Sequence, residues 1–135
     1  MIAVDTSAIV AIALNEPERA AFRRAVMQAG KALISTASVL EVKMVLYSRR
    51  GPRGVVLVDD MVRLPMFEIT PPDPADLDAA FGAFVAFGKG SGHPAALNFG
   101  DLFAYALAKV RNLPLLFKGN DFSETDIRPA IAGLG

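Results

Sequence analysis

The 135-residue sequence contains no cysteine and no tryptophan, and it has a single histidine. The lack of cysteine excludes a disulfide framework, a thiolate zinc site and a cysteine nucleophile, and it fits a reducing compartment. Basic and acidic residues balance at 14 each, so the chain lacks the excess positive charge that indicates nucleic-acid binding by charge alone. Any contact with a nucleic acid would therefore have to be local.

The sequence also lacks an apolar run near the roughly 18 residues of a membrane span, and no basic stretch precedes a long apolar core at its start. We therefore expect no membrane association and a cytoplasmic protein. Its hydrophobic content, 53%, is high for a small chain of this length. We expect a single domain over residues 1–135 and, because leftover apolar surface is usually covered, an oligomer or a bound protein.

Short apolar strands alternate with helices along the chain, which predicts an α/β fold with a mostly parallel sheet covered on both faces. The predicted strands are an opening run that ends at Asp5, followed by 31–35, 66–69 and 115–117. Helices are expected from Thr6 or Ser7, as the capping residue, to Leu14, and over 16–30, 36–50, 55–64, 74–87 and 99–111. A glycine-rich loop, 88–92, precedes the last helix, which Asn98 caps.

The opening run delivers a carboxylate, Asp5, to the carboxyl end of the first strand. Ligands of open α/β sheets collect at this edge, so an acid there is available for a metal or a phosphate. Glu41 lies in the third helix, among apolar neighbours one turn away, where an unpaired carboxylate is costly unless something positive compensates it. A surface position, or a pair with Lys43 or Arg49, is the alternative for Glu41.

Asp101 follows Asn98 by three positions, where an acid can complete a reciprocal helix cap. The helix it begins is apolar nearly all round and therefore buried, so Asp101 can equally face the same crevice as Asp5. Asp121 and Asn120 follow the last strand and could be simple turn residues. Several carboxylates in one crevice repel each other unless a cation is present, and oxygen ligands without Cys or His suit Mg²⁺ or Mn²⁺.

Four fragments together resemble a PIN domain, specifically a VapC-type toxin of bacterial toxin–antitoxin pairs. They are Met1-Ile-Ala-Val-Asp-Thr-Ser-Ala, Ser38-Val-Leu-Glu, Leu97-Asn-Phe-Gly-Asp-Leu-Phe-Ala-Tyr-Ala-Leu-Ala-Lys and Leu115-Leu-Phe-Lys-Gly-Asn-Asp-Phe. Their order and spacing run the length of the chain. The resemblance implies a PIN-like three-layer sandwich with four to five strands, and a Mg²⁺-dependent ribonuclease that acts as a homodimer and is blocked by a VapB-type antitoxin.

The resemblance also implies roles for individual residues. Asp5, Glu41 and Asp101 match the three firmest acids of the family, and Asp121 matches the fourth, whose placement varies. Asn120 stands where relatives often carry an acid, which leaves a second metal position open. Thr6 matches a hydroxyl beside the first acid that can orient a carboxylate or a water.

Other residues fit a contact with RNA or with the antitoxin. His93 lies between Gly92 and Pro94, where a loop-capping or phosphate-binding role competes with general acid catalysis. Arg49, Arg50 and Lys118 are further candidates, although arginines at a helix end are usually solvated.

Two other classes of protein remain as alternatives. A receiver-like phosphoryl-transfer domain would use Asp5 as its nucleophile and Lys118 on a later strand, but it would need an acid pair beside Asp5 that this sequence lacks. A PIN-like scaffold without catalysis would have lost its metal site.

Overall fold

A computed structural model describes residues 1–131 of the chain, so the end of the predicted domain, residues 132–135, lies outside the described residues. A parallel sheet of four strands forms its centre, in the order β3-β2-β1-β4. The strands are β1 (Ile2–Val4), β2 (Ala32–Ser35), β3 (Phe67–Thr70) and β4 (Leu115–Leu116).

Six helices connect and cover the strands of the described chain. They are α1 (Thr6–Ala13), α2 (Arg19–Ala29), α3 (Thr36–Arg50), α4 (Pro52–Val62), α5 (Pro74–Phe87) and α6 (Phe99–Arg111). None of the helices in residues 1–131 has the length and apolar character that crossing a membrane requires.

The alternation of side chains along the central strands divides the core into two halves. Ile2 and Val4 face a cluster built mainly from α1, α2, α3 and α4. Ala3 and Leu33 face a second cluster, which α6 dominates. The result is a three-layer α/β sandwich in which β1, β2 and β4 are buried on both faces, as expected for parallel strands, while the edge strand β3 is partly exposed.

The helix boundaries differ from the sequence expectations in α1, α2 and α4, the last of which spans Pro52–Val62 and not 55–64. Helix α1 is capped by Asp5 itself, whose side chain accepts a hydrogen bond from the Ser7 backbone N–H, and not by Thr6 or Ser7. Helix α2 begins at Arg19 and not at Glu16, because the preceding residues form a turn in which Arg19 N–H bonds to Glu16 C=O. The first difference matters for the site, since it fixes the carboxylate of Asp5 at a helix N-terminus.

The glycine-rich stretch after α5 is closed by backbone pairing. Lys89 N–H donates to Leu97 C=O at 2.8 Å, and Leu97 N–H donates to Phe87 C=O at 2.9 Å. This pairing returns the chain to the sheet edge at which β1, β2 and β4 end. Helix α6 therefore starts beside the ends of the strands, and its first turn forms one wall of the crevice there.

Candidate active site

Asp5 lies directly after β1 and is only 5% exposed. Its Oδ2 accepts two hydrogen bonds from Ser7, from the backbone N–H at 3.0 Å and from the hydroxyl at 2.6 Å. The side chain is thus held by the first turn of α1, whose N-terminal end favours a negative charge.

Ser7 also connects Asp5 to the end of β4. Its Oγ accepts a hydrogen bond from the Lys118 backbone N–H at 2.9 Å, and the Asp5 N–H donates to the Leu116 C=O at 2.9 Å. These contacts hold the loop that follows β4, which carries Asp121, beside the end of β1.

Glu41 reaches the same crevice from the middle of α3. The Thr6 hydroxyl donates a hydrogen bond of 2.6 Å to Glu41 Oε1. On its other side the carboxylate lies against the backbone of Gly100 in the first turn of α6. The structure therefore places Thr6 beside the second acid of the predicted set, while Ser7 contacts the first.

Asp101 occupies the third position of α6 and is 8% exposed. It forms a reciprocal cap with Asn98: Asn98 N–H donates to Asp101 Oδ2 at 3.0 Å, and Asp101 N–H donates to Asn98 Oδ1 at 2.9 Å. The cap and the approach to the other acids coexist in one residue, so neither sequence interpretation of Asp101 excludes the other.

Two of these carboxyl groups have strongly altered acidity. Burial raises the pKa of Asp5 to about 6, against the opposing hydrogen bonds from Ser7, and the charges of Glu41 and Asp121 raise it further. Burial also raises the pKa of Asp101 to about 7, opposed by the Asn98 N–H and reinforced by the charges of Asp5, Asp121 and Glu41. Burial is the larger cause for both residues, and the added repulsion indicates that the four acids lie near enough for their charges to interact.

Asp121 and Asn120 lie in the exposed turn after β4. The Asn120 C=O accepts a hydrogen bond from the Ser123 N–H, which closes this turn. The charge of Asp121 contributes to the raised pKa values of both Asp5 and Asp101.

The acids suit a hard divalent cation in chemistry, since they offer only oxygen and repel each other without a positive charge. In the observed side-chain orientations of residues 1–131, however, no group of three or more His, Cys, Asp or Glu is arranged to hold a metal ion. Asp5, Glu41 and Asp101 each turn one oxygen toward a local donor, and those hydrogen bonds leave the second oxygen of each carboxylate for another partner. In their donor chemistry these residues suit the ion, although the side chains of residues 1–131 do not form a ready-made metal site.

The remaining predicted contact residues, His93, Arg49, Arg50 and Lys118, make local contacts of their own. Half-buried His93 accepts a hydrogen bond at Nδ1 from the Ala95 N–H at 3.0 Å, and its ring packs edge-on against Phe87. This geometry is that of a loop cap. The exposed Arg49 and Arg50 lie at the end of α3, where Arg50 donates to the Arg49 C=O.

Lys118 is engaged by two acids of the turn between α1 and α2. Its Nζ lies 3.0 Å from Glu18 Oε2 and 3.1 Å from Glu16 Oε1. The hydrogen bonds to Glu18 and Glu16 raise the pKa of Lys118. An RNA phosphate or an antitoxin would have to compete with both carboxylates for this ammonium group.

Sequence reasoning missed two residues that touch the acids. Ser7 could have been found from the Asp-x-Ser spacing, because an acid at a helix cap readily bonds the residue two positions later. Gly100 carries no comparable signal, because its contact with Glu41 depends on how α3 packs against α6.

A model of the PIN domain family matches residues 2–128. The chain is 44% identical to ribonuclease VapC28 of Mycobacterium tuberculosis, over 95% of this chain and 96% of that protein. It is 42% identical to ribonuclease VapC30 of the same species, over 92% of this chain and 94% of that one.

Among solved structures, the sarcin-ricin loop cleaving toxin VapC20 of M. tuberculosis superimposes with a TM-score of 0.73 at 18% identity, covering 96% of this chain and 100% of that chain. A chain of VapBC2 from Rickettsia felis, bound to a DNA fragment from its promoter, gives a TM-score of 0.76 at 13% identity, covering 96% and 97%. At these identities the structures show the fold alone, and they confirm the predicted three-layer α/β architecture.

Proposed function

Because this chain belongs to the PIN domain family and its relatives are named VapC ribonucleases, we propose that it is a toxin that hydrolyses RNA phosphodiester bonds. The observation that supports this most directly is the approach of Glu41 to the residues beside two other acids, since it bonds Thr6 next to Asp5 and lies against Gly100 next to Asp101. An RNA nuclease of this kind acts in the cytoplasm, where its substrate is.

In this proposal the four acids hold Mg²⁺, with Mn²⁺ able to substitute, and the ion supplies activation of a water molecule and neutralisation of phosphate charge. The protein's own residues prepare the site. Ser7 and the Asn98 N–H fix the orientation of Asp5 and Asp101. Both carboxyl groups must be ionised to act as ligands, so the raised pKa values predict that the empty site binds metal more tightly as the pH rises through 6 to 7.

Neutralisation by a VapB-type antitoxin follows from the same charges. An arginine from a partner could form a bidentate pair with the acids, in the place of the metal, and relieve their repulsion. The Gly88–Gly92 loop, which precedes α6, and the exposed arginines at the end of α3 are the surfaces that we expect an extended or amphipathic partner segment to contact.

A homodimer would cover the apolar surface of α5 and α6. Large side chains stand exposed along this face: Leu77, Phe81, Phe84, Val85 and Phe99. All of them except Val85 line a cleft of about 360 Å³ between the two helices. An apolar surface of this kind is normally covered by a partner in solution, and a second copy would cover both faces at once.

The decisive experiment titrates Mn²⁺ into the purified, metal-free protein by calorimetry and then incubates the protein with total cellular RNA, with the new RNA ends mapped by sequencing. A ribonuclease binds Mn²⁺ and produces a small set of new ends that disappear on adding EDTA. A PIN-like scaffold without catalysis would give neither signal. Light scattering of the same sample measures the dimer.

Expression in cells tests the toxin assignment separately from the nuclease. Expression of the chain alone should stop growth, and co-expression of the small gene beside it should restore growth and yield an inactive complex. Harmless expression of folded, metal-binding protein would contradict the toxin function while leaving the metal site intact.

A further inference from the structure

Gly100 is the second residue of α6, and the space that a side chain would fill there is already taken by an acid of the site. A Cβ built on Gly100 would lie 2.8 Å from both Cδ and Oε1 of Glu41, and it would be still closer to Oε2. Real Cβ contacts do not reach such distances, so any other residue at this position would displace the carboxylate.

The backbone gives no reason for a glycine at this position. Gly100 lies inside a helix and is absent from the glycines with positive φ. Alanine is favoured over glycine within a helix, because glycine loses more conformational freedom on folding. The benefit of Gly100 must therefore lie in the space it leaves.

That space lets the Glu41 carboxylate lie between two groups that stabilise it. The Thr6 hydroxyl bonds Oε1 at 2.6 Å, and the first turn of α6 presents the positive end of the helix dipole. The same turn carries Asp101. The absence of a side chain at Gly100 therefore lets Glu41 of α3 lie against the turn that holds Asp101.

We infer that Gly100 is a positioning residue whose absent side chain admits Glu41 to the acid cluster. The Glu41 carboxylate lies at the end of a flexible side chain, so Gly100→Ala displaces the carboxylate and leaves the fold intact. The substitution therefore acts on the site, because Glu41 no longer lies against the first turn of α6, which carries Asp101. This inference rests on the proposed function for its effect on metal, and on geometry alone for its effect on Glu41.

The first test compares two glycines in helices by Mn²⁺ calorimetry. Gly100→Ala should weaken Mn²⁺ binding by about tenfold to a hundredfold, as loss of a group that orients a ligand does. Gly82→Ala in α5 is the matched control, because a Cβ there meets nothing within 4 Å. Unchanged Mn²⁺ affinity in Gly100→Ala, with a wild-type protein that does bind Mn²⁺, overturns the inference.

A metal-free test separates this inference from the proposed function. Gly100→Ala is made in the wild type and in Glu41→Ala, and the melting temperatures of both pairs are measured in EDTA. With Glu41 truncated, Gly100→Ala should raise the melting temperature by about 3 °C, like Gly82→Ala, because only the gain in helix propensity remains. In the wild type the gain should be smaller or absent, because the Thr6 hydrogen bond to Glu41 is lost.

An equal change in both backgrounds means that Gly100 does not act through Glu41 and overturns the inference, whether or not the protein binds metal. A wild type that binds no Mn²⁺, combined with the expected difference between the two backgrounds, contradicts the proposed function and keeps the inference about geometry.

Discussion

The two helices on one face of the sheet begin with the same local structure, but the aspartate in the first turn of each helix has a different role. Both α5 and α6 start with a reciprocal cap whose third residue is a buried aspartate, Asp76 in α5 and Asp101 in α6. Asp76 Oδ1 meets a cation, Arg111, at 2.8 Å. Asp101 faces three other acids and no such partner among the described residues.

As a result, the pKa values of the two aspartates shift in opposite directions. Burial raises the pKa of Asp76, but the hydrogen bonds from Arg111 and the Asp73 N–H outweigh burial and lower its pKa overall. Burial together with neighbouring acids raises the pKa of Asp101 to about 7. A capping motif therefore does not tell a structural acid from a functional one, and the charge opposite the acid does.

The largest expected effect distinguishes the two aspartates directly. Asp101→Asn keeps an acceptor for the Asn98 N–H but removes a ligand, so RNA cleavage should fall at least about a hundredfold while the fold is retained. Asp76→Asn should leave cleavage unchanged and lower the free energy of unfolding by about 1 to 3 kcal/mol, because Arg111 loses its partner. Cleavage assays and denaturant melts of both variants measure this.

The contrast fails in a recognisable way if Asp101 is only a cap. In that case Asp101→Asn would cleave RNA at nearly the wild-type rate and lose at most about 1 kcal/mol of stability. Loss of cleavage in Asp76→Asn, in a protein that still folds, would instead extend the site to the far end of α6.

Asp5→Asn should abolish cleavage and raise the melting temperature of the metal-free protein near pH 7.5. Asparagine caps a helix as well as aspartate does, so the bond from the Ser7 N–H survives. The repulsion from Glu41 and Asp121 is removed. Thermal melts in EDTA check the stability, and a lower melting temperature would show that the Asp5 charge stabilises the metal-free fold.

The pH dependence of stability should have opposite signs for the two kinds of aspartate. Asp5 and Asp101, with folded pKa values of about 6 and about 7 against an ordinary 3.8, bind more protons when folded. Their contribution is therefore greatest at low pH and is lost as the pH rises from about 4 to 7, by at most on the order of 3 kcal/mol for Asp5. Asp76, whose pKa is lowered, stabilises the fold above about pH 4 and loses this contribution in acid.

Denaturant melts of the metal-free protein at several pH values measure these contributions. Asp5→Asn and Asp101→Asn should each flatten the decline in stability between pH 4 and 7, and Asp76→Asn should flatten the loss in acid. Saturating Mn²⁺ should reverse the decline, because ionised carboxylates bind the ion better. Equal slopes in all variants would mean that folding does not shift the pKa values of these three aspartates.

Much of the fold could be predicted because its signals are local. The caps Asp73 and Asn98, each followed three positions later by an acid, marked the starts of α5 and α6. Boundaries failed where a turn competes with a helix, as before Arg19. The cap of α1 lies one or two residues before the expected Thr6 or Ser7, because Asp5 serves both the strand end and the helix start.

The candidate site was harder, because its contacts are between residues far apart in the chain. The acids themselves could be recognised from strand ends and from a carboxylate on an apolar helix face. Which hydroxyl bonds to which acid could not be predicted. In the structure the Thr6 hydroxyl donates to Glu41 and the Ser7 hydroxyl donates to Asp5. Neither could the closeness of Glu41 to Gly100 be predicted, since periodicity within α3 and α6 does not fix how the two helices pack.

The smallest expected effect comes from the one chemical difference between the two caps: α5 begins with Asp73, whereas α6 begins with Asn98. Asn98→Asp keeps the cap, since the two residues cap equally well, but adds a charge beside Asp101. We expect the pH midpoint of Mn²⁺ binding, measured by calorimetry, to rise by about half a unit. Asp73→Asn, the matched control, sits by the Asp76–Arg111 pair and should leave the midpoint unchanged. A midpoint that Asn98→Asp does not move would show that solvent screens a charge at position 98 from the carboxylate of Asp101.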